Sequence, residues 1–435
     1  MPCKSRIVVV GTTADYIDIL IEKFGDRIFF LTDFEERAKW KNAQPDSSME
    51  ILLDLEDHNS VVASLKKAME KYDFVVSGFA CFDCESLVLT AVIAEIFSIK
   101  FPSLDTVINC RSKYTFKKII KDDGIACPEV FLIRNQEDAA RLFDHFEGPA
   151  IIKPLTGSGS ELVFKCEDKE SCRAACSTIM EKMKDKRSRM YSGSSLSGSN
   201  DPHEVFVMEQ FIPGDEYSCD FIFDDGKINI LRLTKKIINN NATFGTVSAY
   251  ILPAELPEGV TEKMLRFYLY DVVKSLDEKR IMAMADLKIF KGEIFILELT
   301  PRPGGDCLPF LIKESSGFDI FGAALDFAEG KPVYPLEIEK WKKVIGLHLL
   351  ADKNGILKDI DDSLIVSDER VIRCDLKHSQ GDRIVMPPND YESRLLGHVF
   401  FRPYPDQDLE KQCEEISQKL IFEMELNDEH ETAAR

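Results

Sequence analysis

Tryptophan occurs 2 times and histidine 7 times in 435 residues. No histidines fall in an H-x-x-x-H or H-x-x-E-H pairing, so zinc-hydrolase chemistry is not expected. No apolar run approaches the roughly 20 residues that cross a bilayer, which argues against a membrane partner. Positive charge is in deficit: 55 Lys and Arg against 75 Asp and Glu give a formal charge of −20. A chain of that sign repels a phosphate backbone at long range, so no nucleic-acid partner is expected, and an anionic small ligand needs local cations. The Walker pattern G-x-x-x-x-G-K-[ST] is absent, and the turn GTTAD after the first strand lacks the G-x-G-x-x-G dinucleotide fingerprint. The start, MPCKSRIVVV, lacks the longer apolar core of a signal peptide. The 12 cysteines are scattered, as expected of reduced thiols in a cytoplasmic protein. Cys81 and Cys84 form a C-x-x-C without a second pair or nearby His, and Cys172 and Cys176 lie one helical turn apart.

Apolar residues make up 44% and charged residues 30%, ordinary figures for a folded chain. Single cores stop growing at roughly 250 to 300 residues, so several domains are expected. Residues 6–10, 28–31 and 74–76 read as strands, and 15–23 and 61–71 as helices, a βαβαβ pattern that predicts a parallel Rossmann-like sheet. A polar helix opens near Arg111 and stops at Gly124. A strand then carries GPAIIKPL into the small-residue loop TGSGSEL, and extended structure resumes at 162–165. Residues 187–203 hold too few apolar side chains to offset their ordering entropy and read as a mobile loop. Strands at 204–211, 217–223, 228–233, 283–290 and 294–299 predict an antiparallel α+β unit. Short strands from 334 onward and a charged helix at 409–425 predict a β-rich module. The expected fold class is therefore α/β and α+β multidomain, divided at 1–108, 109–333 and 334–435.

Three segments carry chemistry. In AIIKPLTGSGSEL, Lys153 ends an apolar strand and precedes a loop whose amides suit phosphate oxygens. In VFVMEQFIPGDEYS, Glu209 ends a strand and Glu216 follows a P-G turn, an arrangement able to read an adenine edge and ribose hydroxyls. In MADLKIFKGEIFILELTPRPGGD, Asp286 and Glu298 lie on strands joined by Lys291 and Gly292. Two carboxylates aimed into one site repel unless a cation such as magnesium stands between them. Arg302, framed by prolines and glycines, offers a fork for carboxylate or phosphate. Taken singly, each segment also fits a bland reading: a hairpin with a snorkelled lysine, solvated acids at a turn, an outward Glu298, or a structural P-R-P-G-G turn.

Together and in this order, these segments resemble the ATP-grasp superfamily, in particular its carboxylate–amine ligases of the L-amino acid and dipeptide type. The opening βαβ unit resembles the pre-ATP-grasp domain, and QGDRIVMPPNDYESRLLGHVFF a biotin-carboxylase-like C-terminal module. The resemblance implies ATP with Mg2+, or Mn2+ in its place, small carboxylate and amine substrates and, from family habit, a homodimer. It implies Lys113 and Lys153 as phosphate contacts under a loop containing Ser158, Gly159 and Ser160, with Lys235 or Lys236 adding another and Lys235 carried forward. Glu209 would meet the adenine amino group, Gln210 and Ile212 would add backbone contacts, and Glu216 would hold the ribose. Asp286, Glu298 and Thr300 would hold the metal, and Arg302 would steady the reacting carboxylate and its acyl phosphate. Asp286 stands where the family often has Glu, and Thr300 where an Asn commonly completes E-x-N-x-R. Two further readings stay open here: a regulatory ATP-binding protein, and a carboxylase served by a separate biotin carrier.

Overall fold

The computed structural model describes residues 4–425 except 41–44, 185, 187–188, 192–199, 240 and 338–339. The first unit begins with β1 (Lys4–Val10), α1 (Ala14–Phe24), β2 (Ile28–Asp33), α2 (Phe34–Ala38), β3 (Glu50–Leu53), α3 (His58–Tyr72), β4 (Phe74–Cys81) and α4 (Leu87–Ile96). Its strands form a parallel sheet in the order β3-β2-β1-β4. The run Ile7 to Val10 is fully buried, as parallel strands covered on both faces require. The short strand β3 escapes the sequence pattern because EILL is flanked by polar residues and barely alternates.

Two serine-capped helices, α5 (Leu104–Arg111) and α6 (Lys113–Asp122), lead onward; Ser103 and Ser112 accept the capping amides, which satisfies donors that a helix start leaves free. Next come β5 (Val130–Ile133), α7 (Gln136–Phe143), β6 (Ala150–Pro154), β7 (Phe164–Cys166), α8 (Lys169–Met183) and β8 (Phe206–Gln210). The strands pair antiparallel in the order β5-β8-β6-β7, and α7 and α8 bury Ala139, Cys172, Cys176 and Ile179 against them. The expected loop at 187–203 falls largely outside the described residues, apart from a helical turn at Arg189–Tyr191 and residues 200–203.

The largest sheet uses β9 (Asp215–Asp224), β10 (Lys227–Ile238), β11 (Val247–Leu252), β12 (Arg280–Phe290) and β13 (Glu293–Thr300), with α9 (Glu262–Ser275) packed beneath and α10 (Leu308–Ser316) and α11 (Ile320–Ala328) following. Residues beyond 334 supply β14 (Val344–Leu350), β15 (Gly355–Asp361), α12 (Ser363–Val366), β16 (Val371–Leu376), β17 (Arg383–Ile384), β18 (Leu395–Phe401), α13 (Leu409–Ser417) and β19 (Ile421–Glu425). Three of these strands continue the large sheet, whose order is β13-β12-β9-β10-β11-β14-β18-β16, while β17-β15-β19 form a separate small sheet. β14, β16 and β18 are thus hydrogen-bonded into the central sheet. The expected helix at 409–425 ends at Ser417; Phe422 and Met424 alternate with Glu423 and Glu425, and this period of two places 421–425 against β15.

One core cluster joins α1 and β1 to α10, α11, β14 and Phe400, so the N-terminal sheet shares apolar packing with the central sheet. At Gly78 of β4 an added Cβ would lie 2.6 Å from the Ala328 carbonyl oxygen; a glycine there lets α11 press directly on the strand.

Candidate active site

A cavity of about 1940 Å³ opens between the small antiparallel sheet and the eight-stranded sheet. Its walls carry Lys113, Lys153, Ser158, Gly159, Ser160, Glu209, Gln210, Ile212, Glu216, Lys235, Asp286, Glu298, Thr300 and Arg302. Every residue that the resemblance assigns to the site therefore lines one space, although they span nearly two hundred residues.

The acidic wall comes from the β12–β13 hairpin, where Asp286 stands directly opposite Glu298 and Met284 opposite Thr300. Paired positions of antiparallel strands share a face, so both carboxylates point into the cavity, and each keeps about a quarter of its side chain exposed (23% and 27%). Asp286 Oδ1 is buried with no hydrogen-bond partner among the described residues. An orphaned carboxylate oxygen facing a second carboxylate suits a hard divalent cation.

Lysines form the opposing wall. Lys113 Nζ lies 3.7 Å from Glu298 Oε2 and donates to the Gly157 carbonyl at 2.8 Å, tying the small-residue loop to the acidic hairpin. Burial pulls the Lys113 ammonium below its usual range despite Glu298. Lys153 Nζ meets Glu209 Oε2 at 2.7 Å, and Lys117 Nζ meets Oε1 at 2.8 Å. Lys117 is wholly buried; burial lowers it to about 8, with Glu209 opposing the shift. Burial alone would raise Glu209, but the two ammonium groups overturn it and hold the carboxyl below its usual range.

The structure adds detail at three of these positions. Both oxygens of Glu209 lie at ion-pair distance from ammonium groups, which places its carboxylate between Lys117 and Lys153. The Gln210 backbone N–H donates to the Glu129 carbonyl at 2.9 Å. Lys236, rather than Lys235, reaches the centre: it is buried between Glu216 Oε1 and Asp286 Oδ2, each 2.9 Å away, while Lys235 pairs with Asp215 at the rim. Strand alternation places neighbours on opposite faces, and this decides between the two lysines. Burial opposes the Lys236 charge, but Asp286 and Glu216 push its ammonium above the usual range.

Arg302 leaves the hairpin with its Nε and Nη2 at 3.2 and 2.9 Å from Cys84 Sγ and its Nη1 donating to Pro303 O at 2.7 Å. Burial opposes its charge, yet Cys84 raises the guanidinium above its usual range. The loop after it is anchored from below: Gly304 N donates to Asp220 Oδ1 at 2.9 Å, and Asp220 Oδ2 pairs with the buried Arg232 at 2.7 Å.

The sequence reading missed Lys117, kept Lys236 only as the alternative to Lys235, and saw Cys84 only as half of a C-x-x-C. Lys117 follows Lys113 by four residues on α6 and so shares its face, a legible helical signal. Cys84 carries no local mark of its meeting with a residue more than two hundred positions away.

Residues 146–309 match the family model described as an ATP-grasp domain. The L-arginine-specific L-amino acid ligase of Bacillus subtilis is 21% identical over 336 residues, covering 73% of each chain. The D-alanine--D-alanine ligase of Acidovorax ebreus is 25% identical over 237 residues, covering 50% of this chain and 65% of that protein. Among solved structures, the L-amino acid ligase from Bacillus licheniformis superposes with a TM-score of 0.78 at 20% identity, over 98% of this chain and 100% of the other. With the lysine, carboxylate and arginine walls above, these likenesses identify residues 146–309 as an ATP-grasp domain within a multidomain ATP-grasp fold.

Proposed function

We propose that this chain is an ATP-dependent carboxylate–amine ligase that joins a small carboxylate to an amine, releasing ADP and phosphate through an acyl phosphate. The observation carrying this reading is the Asp286–Glu298 pair opposite Lys113, Lys153 and Lys236 in one cavity that Arg302 also lines. The L-amino acid ligase named among its relatives favours amino acids as substrates.

In this reading Lys113 and Lys153 neutralise phosphate oxygens beneath the loop of Ser158, Gly159 and Ser160. Glu209 holds Lys117 and Lys153 in place, the Gln210–Ile212 turn faces the adenine, and Glu216 and Lys236 lie by the ribose and phosphates. Asp286 and Glu298, with Thr300 beside them, would hold Mg2+ or Mn2+, which when bound supplies further charge neutralisation to the phosphates. Arg302 binds the substrate carboxylate, whose oxygen attacks the terminal phosphorus; the bond from that phosphorus to ADP breaks. The amine then attacks the acyl carbon and phosphate leaves. Positioning and charge neutralisation carry the first step, so no protein base is required there.

The test is ADP release across pairwise combinations of amino acids, with mass analysis of products. Release that needs both a carboxylate and an amine, and that falls by about 100-fold or more in Arg302→Ala, is the expected result. A second reading, ATP binding without turnover, is favoured by the Lys236 ammonium that already occupies Asp286 Oδ2. Nucleotide binding with no ADP release across the whole panel would select it and reject the ligase.

A further inference from the structure

The cavity wall also reaches a group of side chains that the ligase reading leaves idle. Asp306, Cys307, His348 and His398 place one donor atom each within 4.8 Å of one another. His348 and His398 are directly opposed on β14 and β18. Asp306 Oδ2 lies 2.8 Å from His348 Nε2, and Oδ1 lies 2.8 Å from His398 Nε2. Cys307 Sγ lies 3.9 Å from the same His348 nitrogen. Gly346, two residues before His348 on β14, leaves space for the thiol: a Cβ there would stand 3.2 Å from Sγ.

The backbone is shaped to deliver this carboxylate. Asp306 holds φ at +57°, in the left-handed region, and its carbonyl is fixed by the Tyr16 hydroxyl at 3.1 Å. Strained φ values in well-anchored turns concentrate where a side chain must be aimed.

The second nitrogen of His348 settles its tautomer. Nδ1 lies 3.0 Å from the Val247 carbonyl; a carbonyl only accepts, so Nδ1 carries the proton. In a neutral ring Nε2 then presents a lone pair to Asp306 Oδ2, and two acceptors 2.8 Å apart repel. A proton, on the ring or on the carboxyl, or a metal ion must stand between them. A backbone carbonyl that orients the remote nitrogen is also the usual support behind a metal-ligating imidazole.

We propose that Asp306, Cys307, His348 and His398 form a binding site for a divalent transition metal, Zn2+ foremost, on the wall of the same cavity. Two imidazoles, a carboxylate and a thiolate are donors that suit Zn2+ rather than Mg2+, which prefers oxygen alone. Asp306 and His348 line the cavity, so the ion would be within reach of a ligand entering it.

The site is independent of the ligase reading and is tested without activity. Full-length protein is stripped with a chelator, desalted, incubated with Zn2+, desalted again and analysed for metal; about one ion per chain should be retained. His398→Ala and Asp306→Asn should lose it, while Asp286→Asn should keep it. In Co2+-loaded protein, Cys307→Ser should abolish the near-ultraviolet thiolate-to-metal charge-transfer band. Should His398→Ala lose its far-ultraviolet dichroism, the Co2+ spectra of wild type and Cys307→Ser decide alone. Wild type retaining no more Zn2+ than Asp306→Asn, or showing no thiolate band with Co2+, overturns the proposal.

Discussion

Glu209→Gln is the substitution whose consequence follows most directly from the geometry. The carboxylate holds two ammonium groups at 2.8 and 2.7 Å, a gross attraction of roughly 6 kcal/mol each at an effective dielectric constant near 20. Most of that offsets the desolvation of three buried charges, so only a fraction appears as net stability. Removing the shared partner of a buried ion pair costs about 3 to 5 kcal/mol, because the remaining charges stay buried and uncompensated. Here an escape exists. Lys117 already titrates near 8, and surrendering its proton at pH 7 costs only about 1.4 kcal/mol. The expected loss at pH 7 therefore falls near the lower end, about 3 kcal/mol.

The escape gives the loss a pH signature. In the wild type the folded Lys117 titrates below the ordinary 10.5, so its unfavourable contribution is complete below 8 and is relieved as pH rises from 8 toward 10.5. Without Glu209 its folded value drops further, so in a window below pH 8 the variant lacks a proton that the wild type keeps. The stability gap should then narrow by about 1.4 kcal/mol per pH unit across that window. Urea unfolding followed by far-ultraviolet dichroism at pH 6, 7 and 8 measures it. A gap that stays constant across the window would refute the assignment of Glu209 as the counter-charge of Lys117.

Other outcomes follow from the same cavity. Lys236→Met should cut ADP formation by about tenfold or more, since it strips a buried charge from Asp286 and Glu216, while Lys235→Met at the rim should change it less than about twofold; steady-state kinetics on both separates them. Gly304→Ala should destabilise by about 1 to 3 kcal/mol, because the new Cβ would stand 2.4 Å from Arg232 Nη2 and 2.9 Å from Leu308 Cδ1; thermal unfolding reads the loss. Cys84→Ala removes the sulfur that Arg302 contacts through two nitrogens, and should raise KM for the carboxylate substrate more than it lowers kcat if the thiol orients the guanidinium before binding.

Much of this protein is written in local pattern. The buried run Ile7 to Val10, the apolar strand ending at Lys153 and the hairpin carrying Asp286 and Glu298 announce themselves because strand alternation, turn residues and an acid in an apolar run are short-range signals. The length of the last helix was misjudged because Ile421 to Glu425 is charged enough to pass for helix, and only pairing with β15 reveals its period of two. Local pattern likewise brought out the acids, the phosphate loop and Arg302 as chemistry-bearing residues. Nothing within VFVMEQFI reports that Lys117 arrives from α6 and Lys153 from β6 to pair with Glu209. The choice of Lys236 over Lys235, the meeting of Cys84 with Arg302, and the gathering of Asp306, Cys307, His348 and His398 were decided by which face each strand turns inward and which strands lie side by side. Those are properties of packing between distant segments, and charge pairing in a buried space depends on what arrives there from the whole chain.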